Sequence, residues 1–132
     1  TSVATKHDNF IFLKGYSEAL SANLYRNGDL FLMPSSFEPC GISQMLAMRA
    51  GQACLVHSVG GLRDTVEHHQ NGFTFSGDNP EHQAENMIRC FDDALNTKQN
   101  NPQHWQEIAA QAEESRFYWG DVAGEYVQYL YG

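Results

Sequence analysis

Short apolar runs alternate with segments of helical spacing along the first half of the chain, and this alternation limits the folds that the chain can adopt. The runs lie at residues 9–16, 29–35, 53–58 and 71–77. The first three are apolar at successive positions, and the fourth is a turn with a short strand. Continuous apolar strands are typical of parallel sheets, whose two faces are both covered. The sequence therefore predicts an α/β fold, a Rossmann-like parallel sheet with helices on both faces.

Helical signals fill the spaces between the runs. Ser17 is a suitable N-cap and Gly28 a suitable stop for a helix over residues 17–28. A second helix is predicted between residue 42 and Gly51. Its apolar positions follow helical spacing: Ile42, Met45, Leu46 and Ala50.

After Pro80 the pattern is helical only. The chain therefore divides into a strand-and-helix part at about residues 9–77 and a helical part at about 80–132. One helix carries an apolar stripe of Ala84, Met87, Ile88, Phe91 and Leu95. A polar loop is predicted at residues 96–103, and a stripe from Trp119 to Tyr131 is interpreted as a packing face.

Composition excludes two classes of partner. Eight basic side chains against 16 acidic ones give a net charge of -8, so the chain lacks the cation cluster that a nucleic-acid backbone requires. No stretch approaches the roughly 18 apolar residues of a membrane span. Cys40, Cys54 and Cys90 are odd in number and form no C-x-x-C pair, which predicts free thiols and a cytoplasmic location.

The segment "SSFEPCGISQMLAMRAG", residues 35–51, carries the candidate chemistry. Glu38 follows a predicted strand, and Pro39 keeps it out of the helix behind it. Gly41 allows a ligand to approach the backbone closely, and the first N–H groups of the helix have no intrahelical partners. Ligands of such folds lie beyond the carboxyl ends of the strands. The segment therefore predicts an anion site beside one carboxylate.

A second glycine turn, formed by Val59, Gly60 and Gly61, follows the next predicted strand and is expected to face the same crevice. Two backbones suited to phosphate and one carboxylate fit a ligand with phosphates at one end and hydroxyls at the other. A nucleotide sugar has this shape.

The segments "FLMPSSFEPCGISQMLAMRAG", "HSVGGLRDTV" and "NGFTF" together resemble the bacterial glycogen synthase and plant starch synthase family, from about Phe10 through Phe75. The resemblance implies a retaining glucosyltransferase of the two-domain GT-B fold. Its donor would be ADP-glucose or UDP-glucose and its acceptor an α-1,4-glucan, with no cofactor and no metal.

The resemblance also implies that residues 1–132 are the C-terminal nucleotide-sugar-binding domain, cut at its N-terminal side. The family's N-terminal acceptor domain, and the Arg and Lys that clamp the diphosphate, would precede residue 1. The isolated chain is therefore expected to be inactive in transfer.

The same resemblance implies a role for each candidate residue. Glu38 would contact the donor glucose hydroxyls and stabilise the charge that develops at the anomeric carbon. Tyr16 would stack on the nucleotide base. Gly60 and Gly61 would line the donor pocket on the sugar side. Backbone N–H groups would hold the sugar and the distal phosphate, namely those of Cys40, Gly41, Ile42 and Ser43.

Two positions bear on the choice among related proteins. Leu46 stands where many GT-B transferases repeat the glutamate, and the synthases share its absence. Ser36 stands where the family usually has Arg. Two alternatives therefore stay open. One is another retaining GT-B transferase that makes a polysaccharide or a small glycoside, and the other is a non-catalytic sugar-nucleotide-binding module.

Other side chains have competing interpretations. Cys40 has no visible His partner and is interpreted as a helix-edge residue rather than a nucleophile. His68 and His69 lack metal-ligand spacing, which favours a solvated turn. His57, at a predicted strand end, either reaches the sugar or is structural.

Overall fold

The structure is a computed structural model, and it describes Val3 and residues 5–116 of the chain. Eight elements follow one another there: α1 (Glu18–Asn27), β1 (Leu30–Met33), α2 (Ser43–Arg49), β2 (Ala53–His57), α3 (Gly60–Thr65), β3 (Gly72–Phe75), α4 (Pro80–Asn100) and α5 (Pro102–Glu114). The predicted alternation of strands and helices is confirmed from α1 to β3. The stripe from Trp119 to Tyr131 lies outside the described residues.

The three strands form one parallel sheet in the order β1-β2-β3. The central strand β2 pairs with both neighbours, and all five of its residues are buried. Because the strands are parallel, they all end at the same edge of the sheet, at Met33, His57 and Phe75. This carboxyl edge is where the sequence places the candidate site.

Helices cover both faces of β2, as the sequence predicts, because successive strand residues point to opposite faces. On one face β2 packs against α2 and α3, and on the other against α4, while α5 contributes to both cores. The first core consists of Ala47, Met48, Cys54, Val56, Leu62, Val66 and Ala112. The second consists of Ala53, Leu55, Phe73, Phe75, Cys90, Ala94 and Ile108.

The prediction of a strand at residues 9–16 is wrong. The segment has no regular structure, and its apolar side chains are exposed, with Ile11 80% exposed. The sheet of the described residues consists of β1, β2 and β3 alone. The segment pairs with none of these strands, so nothing covers the two faces that its apolar composition would require to be buried.

The buried face of α2 differs from the apolar face that the sequence predicts. The buried residues of α2 are Gln44, Ala47 and Met48, whereas Ile42 and Leu46 are exposed. The amide nitrogen of Gln44 can be buried because carbonyl groups of the preceding turn accept its hydrogen bonds, whereas its Oε1 has no hydrogen-bond partner among the described residues.

The apolar residues predicted to share one face of α4 do lie on this helix, but most of them are exposed. The buried residues are Cys90, Ala94 and Thr97. Ile88 and Phe91 instead line an open hollow with Leu32 of β1. Since β1 is the edge of the sheet, nothing among the described residues covers a stripe that extends past it.

The predicted loop at residues 96–103 is also wrong. Helix α4 continues to Asn100, and Asn101 alone separates it from α5. The Asn101 side chain accepts a hydrogen bond from the His104 N–H, at 3.3 Å, and Pro102 occupies the first turn of α5. A polar cap and a proline therefore join two helices directly. Within the described part of the chain, no helix is both long and apolar enough to cross a membrane.

Candidate functional site

The turn between β1 and α2 carries Glu38, as predicted. Glu38 is half-buried and Cys40 is exposed. Gly41 is buried with a φ of 70°, a left-handed conformation that L side chains rarely adopt. A Cβ atom there would lie 2.6 Å from Oε1 of Gln44. The backbone conformation therefore favours glycine at this position, and any larger residue would also displace the end of the Gln44 side chain.

The turn between β2 and α3 touches the Glu38 turn through main-chain atoms. The Gly61 N–H donates to the Glu38 carbonyl oxygen at 3.1 Å. A Cβ atom at Gly60 would clash with that carbonyl, and one at Gly61 would clash with the Cys40 carbonyl. Gly60 also has a positive φ of 46°. The two glycines are therefore needed so that the turns can meet, in addition to the pocket-lining role that the resemblance implies.

Two buried polar side chains support both turns from the core side. The Gln44 amide donates to the Gly41 carbonyl oxygen at 2.7 Å and lies 3.4 Å from the Thr65 hydroxyl. The Thr65 hydroxyl donates to the Gly61 carbonyl oxygen at 2.8 Å. The side chains of α2 and α3 thus connect the Glu38 turn to the glycine turn.

Helix α2 begins at the site without a side-chain cap. Its N-cap residue is Ile42, whose side chain has no atom that could accept a hydrogen bond from the first-turn N–H groups. Ile42 is exposed and Ser43 half-exposed. The turn therefore brings main-chain N–H donors and the Glu38 carboxyl group into one short segment, an arrangement that can bind an anion beside a polar group.

The predicted site residues fall into two groups. The turns bring together Glu38, Cys40, Gly41, Ile42, Ser43, Gly60 and Gly61. Tyr16 stands apart on the segment before α1, where its side chain is 86% exposed and its hydroxyl lies 3.2 Å from the Glu18 carboxylate. Among the described residues, no hydrogen bond or ring contact joins Tyr16 to the two turns.

Sequence reasoning missed Gln44 and Thr65. A signal for Gln44 was present, because it lies three and four positions before Ala47 and Met48, on the same helical face. A polar residue that interrupts a buried face requires a partner. The partner itself, in the next turn of the chain, could not be found by local spacing.

A cluster of histidines lies at the amino edge of the sheet, opposite the candidate site. His69 has a φ of 59°, and its Nε2 lies 2.8 Å from the Asp93 carboxylate of α4. Its Nδ1 lies 3.4 Å from Nε2 of His104 in α5. The prediction of a solvated turn therefore fails for His69, which is half-buried and bonded to two helices.

His68, His69 and Asp93 are close enough to hold a metal ion, but the bonding of His68 disfavours it. Nδ1 of His68 accepts the Thr74 N–H at 3.0 Å, so the neutral ring carries its proton on Nε2, the atom turned toward Asp93. Burial and the neighbouring His69 lower the pKa of His68, partly offset by Asp93. The cluster is therefore described best as a hydrogen-bonded network.

Comparison with known proteins gives a consistent result. The model of the family described as "Glycosyl transferases group 1" matches residues 4–112. A glycogen synthase of Streptococcus pneumoniae (strain Hungary19A-6) is 42% identical over 132 residues, which cover 88% of this chain and 27% of that protein. The chain thus spans about a quarter of the length of the curated relatives it matches.

Solved structures agree with the sequence relatives. The catalytic domain of starch synthase IV from Arabidopsis thaliana, bound to ADP and acarbose, has a TM-score of 0.79 and 32% identity over 96% of this chain and 27% of its own. Anabaena HepE in complex with UDP-glucose has a TM-score of 0.54 and 25% identity over 81% of this chain and 28% of its own. The structural neighbours are GT-B glycosyltransferases.

Proposed function

The chain belongs to the glycosyl transferases group 1 family, and we propose on that premise that it is the donor-binding part of a retaining glucosyltransferase. The proposed reaction transfers glucose from ADP-glucose or UDP-glucose to an α-1,4-glucan, as in glycogen and starch synthases. The isolated chain is expected to show no transfer, because it spans about a quarter of its curated relatives. The free cysteines favour a cytoplasmic location.

The observation that carries the proposal is the main-chain contact between the two turns. The Gly61 N–H bonds to the Glu38 carbonyl, so the Glu38 carboxyl group, the N–H groups before α2 and the glycine turn belong to one rigid unit. A nucleotide sugar needs both a phosphate site and a hydroxyl site within its own length. The contact supports this arrangement because it fixes the spacing between the two turns.

The residues of this unit suit the chemistry of the transfer. The bond between the anomeric carbon and the diphosphate oxygen breaks, and a bond from that carbon to an acceptor hydroxyl oxygen forms on the same face of the sugar. The proton of that hydroxyl passes to the departing diphosphate. Negative charge then develops on the departing diphosphate and positive charge on the sugar ring. We assign stabilisation of the first to the N–H groups of Cys40, Gly41, Ile42 and Ser43, and of the second to Glu38.

The base of the donor is assigned to Tyr16. Its exposed ring is free to stack on a base, and one aromatic ring serves adenine and uracil equally. The choice of glucose donors rests on the relatives, since one solved neighbour is bound to ADP and another to UDP-glucose. The acceptor is proposed from the glycogen synthases alone.

Binding and turnover of the full-length gene product test the proposal. We expect ADP-glucose or UDP-glucose to bind and a glucan to be elongated, with turnover lost in Glu38→Ala. Binding without turnover on any glucan would favour the non-catalytic module, an alternative that Ser36 keeps open because the family usually has Arg at that position. Transfer to a small acceptor instead would favour another retaining GT-B transferase.

Alkylation of Cys40 gives a second test that reports on position. Cys40 is the exposed thiol of the three, whereas burial raises the pKa of Cys54 to about 12. Burial, with a contribution from Asp93, raises the pKa of Cys90 to about 11. We expect the donor to slow alkylation of Cys40 in peptide mapping of the full-length protein. Equal rates with and without a donor that binds would place the donor elsewhere.

A further inference from the structure

His57 ends β2 at the carboxyl edge of the sheet, and it is bonded to the segment that leads to Glu38. The side chain is buried, with the residue 5% exposed. Its Nδ1 lies 2.9 Å from the carbonyl oxygen of Ser35. Because a carbonyl oxygen can only accept, Nδ1 carries the proton and donates it, whether the ring is neutral or protonated.

The ring of His57 is held from the side of β3. It stacks on Phe75 with 5.0 Å between ring centroids and 11° between ring planes, and the two residues are partners in the β2–β3 register. The Ser58 N–H donates to the Phe75 carbonyl oxygen at 2.8 Å, immediately beside the ring. The donor nitrogen of His57 therefore has a fixed position relative to the sheet.

This fixed donor attaches one end of the segment between β1 and the site. Residues 34–38 leave the sheet after Met33 without regular structure, and Ser36 and Phe37 are exposed. The segment is attached at Ser35 by the His57 side chain and at Glu38 by the Gly61 N–H. Between these two hydrogen bonds, the backbone path to the Glu38 carboxyl group is set by its neighbours on β2 and α3.

We propose that His57 is a positioning residue of the transferase, because its Nδ1–H anchors the Ser35 carbonyl and thereby orients Glu38. This inference rests on the proposed function. It resolves the two interpretations of His57 that the sequence leaves open, since a ring that is buried, stacked and bonded to the backbone has little surface left for the sugar. His57 acts through Ser35 and Glu38 rather than on the substrate itself.

Two variants of the full-length gene product separate the hydrogen bond from the ring. His57→Phe keeps a ring against Phe75 but has no donor. His57→Asn loses the ring, but its Nδ2 can occupy the place of Nδ1 and donate to Ser35. We expect kcat to fall about 10- to 100-fold in His57→Phe, with the donor KM within about twofold, and to return to within about threefold of wild type in His57→Asn.

Several results would overturn this inference. Equal kcat values in wild type and His57→Phe would remove the positioning role and leave the proposed function intact. Equally low kcat values in both variants would show that the ring of His57 matters, and not the hydrogen bond that it donates to Ser35. A kcat–pH profile that changes shape in His57→Asn would indicate a proton-transfer role instead. A wild-type protein without turnover would defeat the proposed function, and the inference with it.

One measurement does not depend on how well the variants fold. In wild-type protein with ¹⁵N-labelled histidine, NMR is expected to show a slowly exchanging proton on Nδ1 of His57. A ring found with Nδ1 unprotonated could not donate to Ser35, and the inference would be wrong.

Discussion

At the carboxyl edge of the sheet two turns meet through main-chain atoms, whereas at the amino edge a turn and two helices meet through side chains. The first contact joins the Gly61 N–H to the Glu38 carbonyl. The second joins His69 to Asp93 and His104. Main-chain groups do not titrate and glycine contacts admit no Cβ, so the first edge is rigid and intolerant of substitution. The second is expected to tolerate substitution and to respond to pH.

The largest difference between the edges should appear in activity. Glu38→Gln in the full-length protein is expected to lower kcat about 10²- to 10³-fold, because the proposed reaction uses the Glu38 carboxylate to stabilise the developing positive charge. Asp93→Asn, a matched change of a carboxylate at the amino edge, should leave kcat within about twofold. Steady-state kinetics with ADP-glucose and UDP-glucose measure both. A similar loss in the two variants would break the comparison.

Stability should distinguish close contact from backbone strain at the carboxyl edge. Gly60→Ala is expected to lower the free energy of unfolding by about 3 kcal/mol, since its Cβ would meet the Glu38 carbonyl. Gly51→Ala is the matched control. Gly51 also has a positive φ, 76°, but its nearest neighbour is the Glu113 side chain at 3.5 Å.

The control should therefore lose only about 1 kcal/mol, the strain of a left-handed residue. Urea unfolding of the 132-residue chain measures both values. Equal losses in the two variants would mean that the turns do not touch at Gly60.

A smaller loss is expected at the amino edge. Asp93→Ala removes the acceptor that lies 2.8 Å from Nε2 of His69 and should lower the free energy of unfolding by about 1 kcal/mol, since water can replace part of the bond. Asp92→Ala, an exposed neighbour on the same helix, should have no measurable effect. Urea unfolding at pH 7 compares the two. Losses of equal size would argue against a structural role for the histidine network.

The pH dependence of stability should be the smallest of these effects. Burial and His69 lower the pKa of His68 below its usual 6.5. As the pH falls, the unfolded chain therefore binds a proton at His68 before the folded chain does. This preferential binding lowers the free energy of unfolding as the pH falls below about 6.5. The effect is small because the His68 side chain is 45% exposed.

His68→Asn isolates this effect, because its Oδ1 can still accept the Thr74 N–H. The variant should lose less stability than wild type between pH 7 and pH 5, as measured by urea unfolding at each pH. If the wild-type protein instead gained stability relative to the variant between pH 7 and pH 5, the pH dependence would have the opposite sign from the one expected.

The sequence predicts local structure well and fails where distant parts meet. Each turn signal concerns neighbouring residues, and Ser17 indeed caps α1 through the Leu20 N–H, at 3.3 Å. The run at residues 9–16 has the composition of a buried strand, but burial depends on a neighbouring strand that composition cannot supply. The apolar stripe of α4 fails in the same way, because its exposure depends on where the sheet ends.

The same limit applies to the candidate site. The Glu38 turn and the glycine turn could be proposed from residue type, from their position after strands and from family resemblance. The bond from His57 to Ser35 spans 22 residues, and that from His69 to Asp93 spans 24. No periodicity connects such pairs, so only the fold could bring them together.

Hydrogen exchange of the full-length protein, with and without ADP-glucose and UDP-glucose, tests the central claim most directly. If the two turns form one donor site, a bound donor should protect the amides of residues 38–46 and 58–64 together, and leave residues 67–72 unchanged. Protection of only one turn, or protection centred on the histidine network, would contradict the assignment.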